Sequence, residues 1–155
     1  MSKRKTLAAV LLSLALVLGG SVTWLFGTND KAVAQQVDVW KSASCGCCGG
    51  WVDYMKKEGF KLSVQNTEEM DAVKAKHGVP EALASCHTAT IDGYVIEGHV
   101  PAQDIRRLLS ERPKARGLSA PGMPQDAPGM DGNTGQPYQV YLFRDDGTRE
   151  VFARH

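Results

Sequence analysis

The chain of 155 residues carries 18 Lys and Arg against 17 Asp and Glu, a formal net charge of +1. Its first 34 residues hold four of the basic and one of the acidic side chains, so residues 35–155 keep 14 basic against 16 acidic, a net −2. That balance excludes a nucleic-acid partner recognised through a basic face, and the length beyond the N-terminal segment suits one domain with one modest core.

The chain opens with a basic stretch, Lys3-Arg4-Lys5, followed by an apolar run from Leu7 to Leu18 that continues through Val22, Trp24, Leu25 and Phe26. Ala32-Val33-Ala34 is a small-x-small cleavage motif. Residues 1–34 therefore read as a secretory signal peptide, with Gln35 the first mature residue. The competing reading is an uncleaved anchor, because Thr6 to Gly27 is about long enough to span a bilayer. Either way residues 35–155 form an exported domain, expected in the periplasm, with membrane contact only through an uncleaved segment.

Residues 37–42 alternate and predict the first strand. Then comes Cys45-Gly46-Cys47-Cys48-Gly49-Gly50, which holds three of the four cysteines. Trp51 to Lys57 predicts the first helix, closed by Glu58-Gly59. Phe60 to Val64 predicts a second strand. Thr67 is placed to cap a second helix that turns Met70, Ala72 and Val73 inward and runs to about His77. Pro80 to Leu83 predicts a short turn with Pro80 near its first position, and Cys86-His87 follow. Thr88–Ile91 and Tyr94–Glu97 flank Asp92-Gly93, a two-residue hairpin signal. Pro101 to Leu109 predicts a third helix, with Val100, Ile105, Leu108 and Leu109 inward and Asp104, Arg106, Arg107 and Glu111 on its polar face. Residues 113–137 are rich in Pro and Gly, lose periodicity and predict a long loop. They contain a repeat, Pro121-Gly122-Met123 and Pro128-Gly129-Met130. A second hairpin, Gln139–Phe143 and Arg149–Phe152 about Asp146-Gly147, closes the chain.

The succession β-α-β-α-β-β-α, with an added Pro/Gly loop and C-terminal hairpin, is that of an α/β, thioredoxin-like domain. The cysteine cluster lies at the first strand–helix junction, where helix N-termini favour thiolates. By analogy with that fold, Cys86-His87 is expected beside the cluster although about forty residues intervene.

Cys45 and Cys48 have redox or metal spacing, and Cys45, Cys47 and Cys48 together suit soft ions shared between sulfurs. A framework of two disulfides fits poorly. Three cysteines crowd one turn, leaving at most one bridge to Cys86 and one local bridge. A closed zinc tetrahedron is usually built from two spaced pairs, whereas adjacent Cys47 and Cys48 can bridge different ions. Copper, held as Cu(I) in a multinuclear thiolate site, is therefore expected ahead of zinc, with an iron–sulfur cluster further behind. His87 and His99 are candidate ligands, and Met123 and Met130 are candidate thioether donors, or simply packing residues. His77 suits its helix end, and His155 is expected to be solvated. Trp40 and Trp51 are expected to pack against the strand and helix and shield the sulfurs.

Cys45-Gly46-Cys47-Cys48-Gly49-Gly50-Trp51, Cys86-His87-Thr88-Ala89, Gly98-His99-Val100-Pro101, Gly117-Leu118 with Ala120-Pro121-Gly122-Met123-Pro124, and Pro128-Gly129-Met130 resemble the CopG-type family of periplasmic copper-resistance proteins, long catalogued as a domain of unknown function. The resemblance spans nearly all of residues 37–153. It implies a thioredoxin-like domain that binds copper through Cys45, Cys47, Cys48 and Cys86, with histidine and methionine nearby. Two function classes follow. One is a copper-binding protein for sequestration, handover or Cu(I)/Cu(II) conversion, partnered by copper ions and other periplasmic copper-handling proteins. The other is a thiol–disulfide oxidoreductase using Cys45 and Cys48, against which the extra thiols at Cys47 and Cys86 count, because they invite mixed pairings.

Overall fold

The computed structural model describes residues 35–155; the signal-peptide and anchor readings of residues 1–34 fall outside them. No helix among the described residues is long and apolar enough to cross a membrane. The domain is a mixed α/β fold with one seven-stranded sheet. In chain order the elements are β1 (Gln36–Lys41), α1 (Gly46–Lys57), β2 (Lys61–Asn66), α2 (Met70–His77), a 3-10 turn (Glu81–Leu83), β3 (His87–Ile91), β4 (Tyr94–Glu97), α3 (Ala102–Glu111), β5 (Gly117–Ser119), β6 (Gln139–Phe143) and β7 (Arg149–Arg154).

Spatially the strands run β2-β1-β3-β4-β5-β6-β7. β1 pairs parallel with β2 through α1, and antiparallel with β3. The β3–β4 hairpin turns at Asp92 and Gly93, both with positive φ (49° and 86°). That is the backbone a two-residue hairpin demands and the reason for Asp-Gly there. The alternating residues Val37, Val39, Ala89, Ile91 and Ile96 leave the sheet on one side and bury against Trp51 and Met55 of α1 and Ile105 and Leu108 of α3. Val95, one step out of phase, joins Leu83 and Phe143 in a smaller cluster.

The predicted succession of elements is present, with five corrections. α1 begins at Gly46 rather than Trp51, so Cys47 and Cys48 lie within the helix. β5 lies inside the segment expected to be an irregular loop; it pairs parallel with β4 and antiparallel with β6, and all three of its residues are buried. Ala72 is exposed, while Met70 and Val73 are half-buried. Thr67 does not cap α2: Glu69 occupies the cap position, and Thr67 Oγ1 accepts from the Glu69 N–H in a local turn (3.1 Å). Asp104 is buried rather than on a polar face, because it accepts from His155 Nε2 at 2.8 Å. His155 itself is exposed, as expected, and its ring also stacks on Tyr138.

Candidate metal centre

Three cysteines are placed by the start of α1. Cys45 is the N-cap, with extended backbone (φ −77°, ψ 95°), and its sulfur accepts from the Cys48 N–H at 3.4 Å. Sulfur here does what Ser or Asp does at most helix starts, satisfying one unpaired N–H. Cys47 and Cys48 follow in the first turn. Cys48 is fully buried, whereas Cys45 and Cys47 are half-buried. Cys45 and Cys48 are joined as a disulfide, while Cys47 and Cys86 are free thiols. Cys47 Sγ lies 3.6 Å from Cys45 Sγ.

The remaining donors arrive through the sheet. In the β1–β3 register Lys41 faces His87, which sets Cys86 level with the turn leaving β1. His99 follows β4, and its Gly98 donates to the His87 carbonyl at 2.9 Å. Gly98 has φ +72°, and a Cβ there would stand 2.3 Å from Ser85 Oγ and 2.7 Å from the Ala120 carbonyl. Only glycine lets the backbone pass at that point. The result is convergence. Donor atoms of Cys45, Cys47, Cys48 and Cys86 lie within 4.8 Å of one another, and so do those of Cys48, Cys86, His87 and His99. Cys48 and Cys86 belong to both groups.

Both imidazoles are fully buried. His99 Nε2 is 3.1 Å and His87 Nδ1 is 3.4 Å from Cys86 Sγ. His99 Nδ1 contacts the Pro128 carbonyl at 2.7 Å, which assigns it the proton and leaves Nε2 as the open donor. His87 packs against Trp51 and edge-on to His99, with ring centroids 4.5 and 5.0 Å apart. His87 Nε2 is the one buried side-chain polar atom without a hydrogen-bond partner among the described residues. Burial holds the His87 imidazole well below its ordinary value, with His99, Lys74 and Lys41 pushing the same way. Burial also lowers His99, against the pull of the Pro128 carbonyl. Burial pushes the Cys86 thiol up to about 11, opposed by the Ser85 hydroxyl. Both imidazoles are therefore neutral near pH 7, the form in which a histidine binds metal.

A family model described as a protein of unknown function, DUF411, matches residues 83–130. That span holds Cys86, His87, His99 and both Pro-Gly-Met segments. No curated protein matches the chain. Two solved structures of copper resistance protein CopG do. Form 2 is 42% identical, with a TM-score of 0.74 over 78% of this chain and 98% of that one. Form 1 is 41% identical, with a TM-score of 0.73 over 77% of this chain and 96% of that one. The chain belongs to the CopG copper-resistance family.

In this CopG-family chain the first Pro-Gly-Met segment meets the Cys86 side of the centre, and the second meets both His99 and α1. Gly122 bridges to Ser85, beside Cys86, and its N–H donates to the Ala84 carbonyl at 3.1 Å. The following Met123 is 55% exposed. Pro128 holds His99, and Gly129 lies on α1: a Cβ on Gly129 would fall 2.2 Å from the Trp51 nitrogen, and one on Gly50 would fall 2.6 Å from the Gly129 oxygen. Met130 is half-buried. Of Trp40 and Trp51 only Trp51 touches a candidate ligand; Trp40 packs at a tilt against His77 instead, centroids 4.7 Å apart.

Glu97 and Lys74 went unnoticed in the sequence. The Glu97 side chain is fully buried and accepts from Ser85 N–H (2.7 Å), Thr88 Oγ1 (2.7 Å) and Lys74 Nζ (2.6 Å). It thereby ties the Ser85 backbone and the Thr88 side chain on either side of Cys86-His87. Burial raises its carboxyl, and Lys74 opposes that. The one signal available was a lone carboxylate ending the otherwise apolar run Tyr94-Val95-Ile96.

Proposed function

We propose that this chain is a periplasmic copper-binding protein of copper resistance, holding Cu(I) through Cys45, Cys47, Cys48 and Cys86 as a thiolate-bridged multinuclear site. The observation that carries the reading is the convergence of four sulfurs and two neutral imidazoles within two overlapping groups. The donor set suits a soft ion, and His99 Nε2 and His87 Nδ1 lie 3.1 and 3.4 Å from the shared Cys86 sulfur. His87 and His99 are the nitrogen donors in this reading, and Met123 and Met130 are thioether donors or a lid. Copper is preferred to zinc because two sulfurs belong to both groups and can bridge. Bound copper would supply one-electron chemistry between Cu(I) and Cu(II), and the chain supplies thiolates and buried imidazoles, with Trp51 packed against His87.

The strand order β2-β1-β3-β4, with α1 joining a parallel pair, supports a thioredoxin-like core extended by β5, β6 and β7. Residues 1–34 act as a cleaved signal peptide and residues 35–155 as the exported domain, meeting copper ions and other periplasmic copper-handling proteins. Intact mass of protein from the periplasmic fraction then begins at Gln35; a full-length mass confined to membranes means an anchor instead.

The Cys45–Cys48 disulfide favours one second reading, a thiol–disulfide oxidoreductase. For copper the same bond is a gate. Two electrons and two protons must convert it to two thiols, which lose their protons as metal binds. Cu(I) titration of reduced protein against a competing chelator tests the copper reading. More than one Cu(I) per chain is expected, and a one-to-one endpoint with zinc displacing copper contradicts it.

A further inference from the structure

We infer that Cys47 and Cys86 form a second dithiol–disulfide couple, separate from Cys45–Cys48, so that the cluster stores four electrons rather than two. This deepens the copper reading, in which the same sulfurs bind the ion, and it is tested without metal so that each can fail alone.

The geometry leaves these two thiols to each other. Cys45 and Cys48 are already joined. Cys47 and Cys86 are the free thiols, both half-buried, and their sulfurs lie within the same 4.8 Å group. Cys47 has a nearer sulfur in Cys45, at 3.6 Å, but that sulfur is spent on Cys48. A bond between neighbours Cys47 and Cys48 closes a small ring through a peptide group that prefers to stay trans and planar. The two thiols sit on different elements, the first turn of α1 and the residue before β3. The pairing of β1 with β3 at Lys41 and His87 brings the turn into α1 beside Cys86, and the Glu97 bonds to Ser85 and Thr88 hold the Cys86 side in place. Starting from sulfurs already within 4.8 Å, a change of χ1 rotamer at either residue is the movement this couple calls for.

With a small disulfide as oxidant the step balances. Cys47 sulfur, as thiolate, attacks the reagent; one thiolate leaves and a mixed disulfide forms on Cys47. Cys86 sulfur then attacks Cys47 sulfur and the second thiolate leaves. Two protein thiols and one reagent disulfide become one protein disulfide and two reagent thiols. With both couples oxidised no thiolate remains for a soft ion; with both reduced all four are present.

The experiment uses metal-free protein, fully reduced, then exposed to oxidised glutathione, alkylated with iodoacetamide and weighed intact. Four alkyl groups are expected before oxidation and none after, with the protein monomeric and free of glutathione. Trypsin should then yield residues 42–56 joined to residues 77–106, with fragmentation placing the link at Cys47 and Cys86. The Cys86→Ser variant should retain Cys45–Cys48 and carry one glutathione on Cys47. The inference is overturned if two alkyl groups persist on Cys47 and Cys86, if glutathione stays on either, if the link joins Cys86 to Cys45 or Cys48, or if Cys86→Ser also ends without a free or glutathionylated thiol.

Discussion

The two halves of the centre are built by different means. The Cys45–Cys48 turn is local: an N-cap, one helical turn and a disulfide, half open to solvent. The half made of Cys86, His87 and His99 is remote in sequence, more deeply buried, and held by a buried ion pair on one side and the Pro128 carbonyl on the other. A local half can change its bonding without disturbing the fold. The remote half is set by the sheet, so its geometry is inherited from residues that never touch a metal.

The sharpest way to break that contrast is at Glu97. Glu97→Ala strands the Lys74 ammonium, whose side chain is only 12% exposed, and frees the Ser85 N–H. We expect a loss of about 3–5 kcal/mol in urea unfolding of the metal-free protein. Glu97→Ala with Lys74→Met should recover much of it. Cys45→Ser, in the local half, should cost less than Glu97→Ala under reducing conditions, where no disulfide contributes.

Next in size is Gly129→Ala. Its φ of +83° and the 2.2 Å approach to the Trp51 nitrogen forbid a side chain, so the segment must lift from α1. A cost of about 1–3 kcal/mol is expected. Loss of the His99 Nδ1 bond to Pro128 should appear in the imidazole NMR signals while those of Trp40 and His77 stay put.

A pH limb, realised in full only above about pH 11, is the most gradual effect. The Cys86 thiol is pushed to about 11 from an ordinary 9.0, so the unfolded chain releases this proton first. Stability of the metal-free protein must then fall as pH rises from about 9 towards 11. Burial of Tyr138, also raised, to about 12, acts in the same direction above pH 10. The difference between wild type and Cys86→Ser in urea melts isolates the Cys86 contribution, which should vanish in the variant.

These contrasts match what was legible in the sequence. Gln36–Lys41, the cysteine turn and the Asp92-Gly93 hairpin are set by local pattern, and they were readable. The start of α1 was not, because Gly46, Gly49 and Gly50 suppress helix propensity, while at Gly50 the missing side chain serves the contact with Gly129. β5 was missed since three residues carry no period and its identity comes from β4 and β6 on either side. His99 was visible as a residue type, but its tautomer depends on a carbonyl 29 positions away. Asp104 looked solvated because its partner, His155, lies 51 residues on.

In the copper reading the remote half completes a metal site the local half cannot form alone. Copper content and insulin-type disulfide reduction in wild type, Cys86→Ser and His87→Ala, each purified under reducing conditions, test it most directly. Cys86→Ser keeps shape and removes a soft donor, so copper content should fall sharply; His87→Ala should weaken copper binding or alter its redox behaviour with the fold intact. Unchanged copper in both variants, together with robust disulfide reduction, would contradict the account and leave a Cys45–Cys48 oxidoreductase in its place.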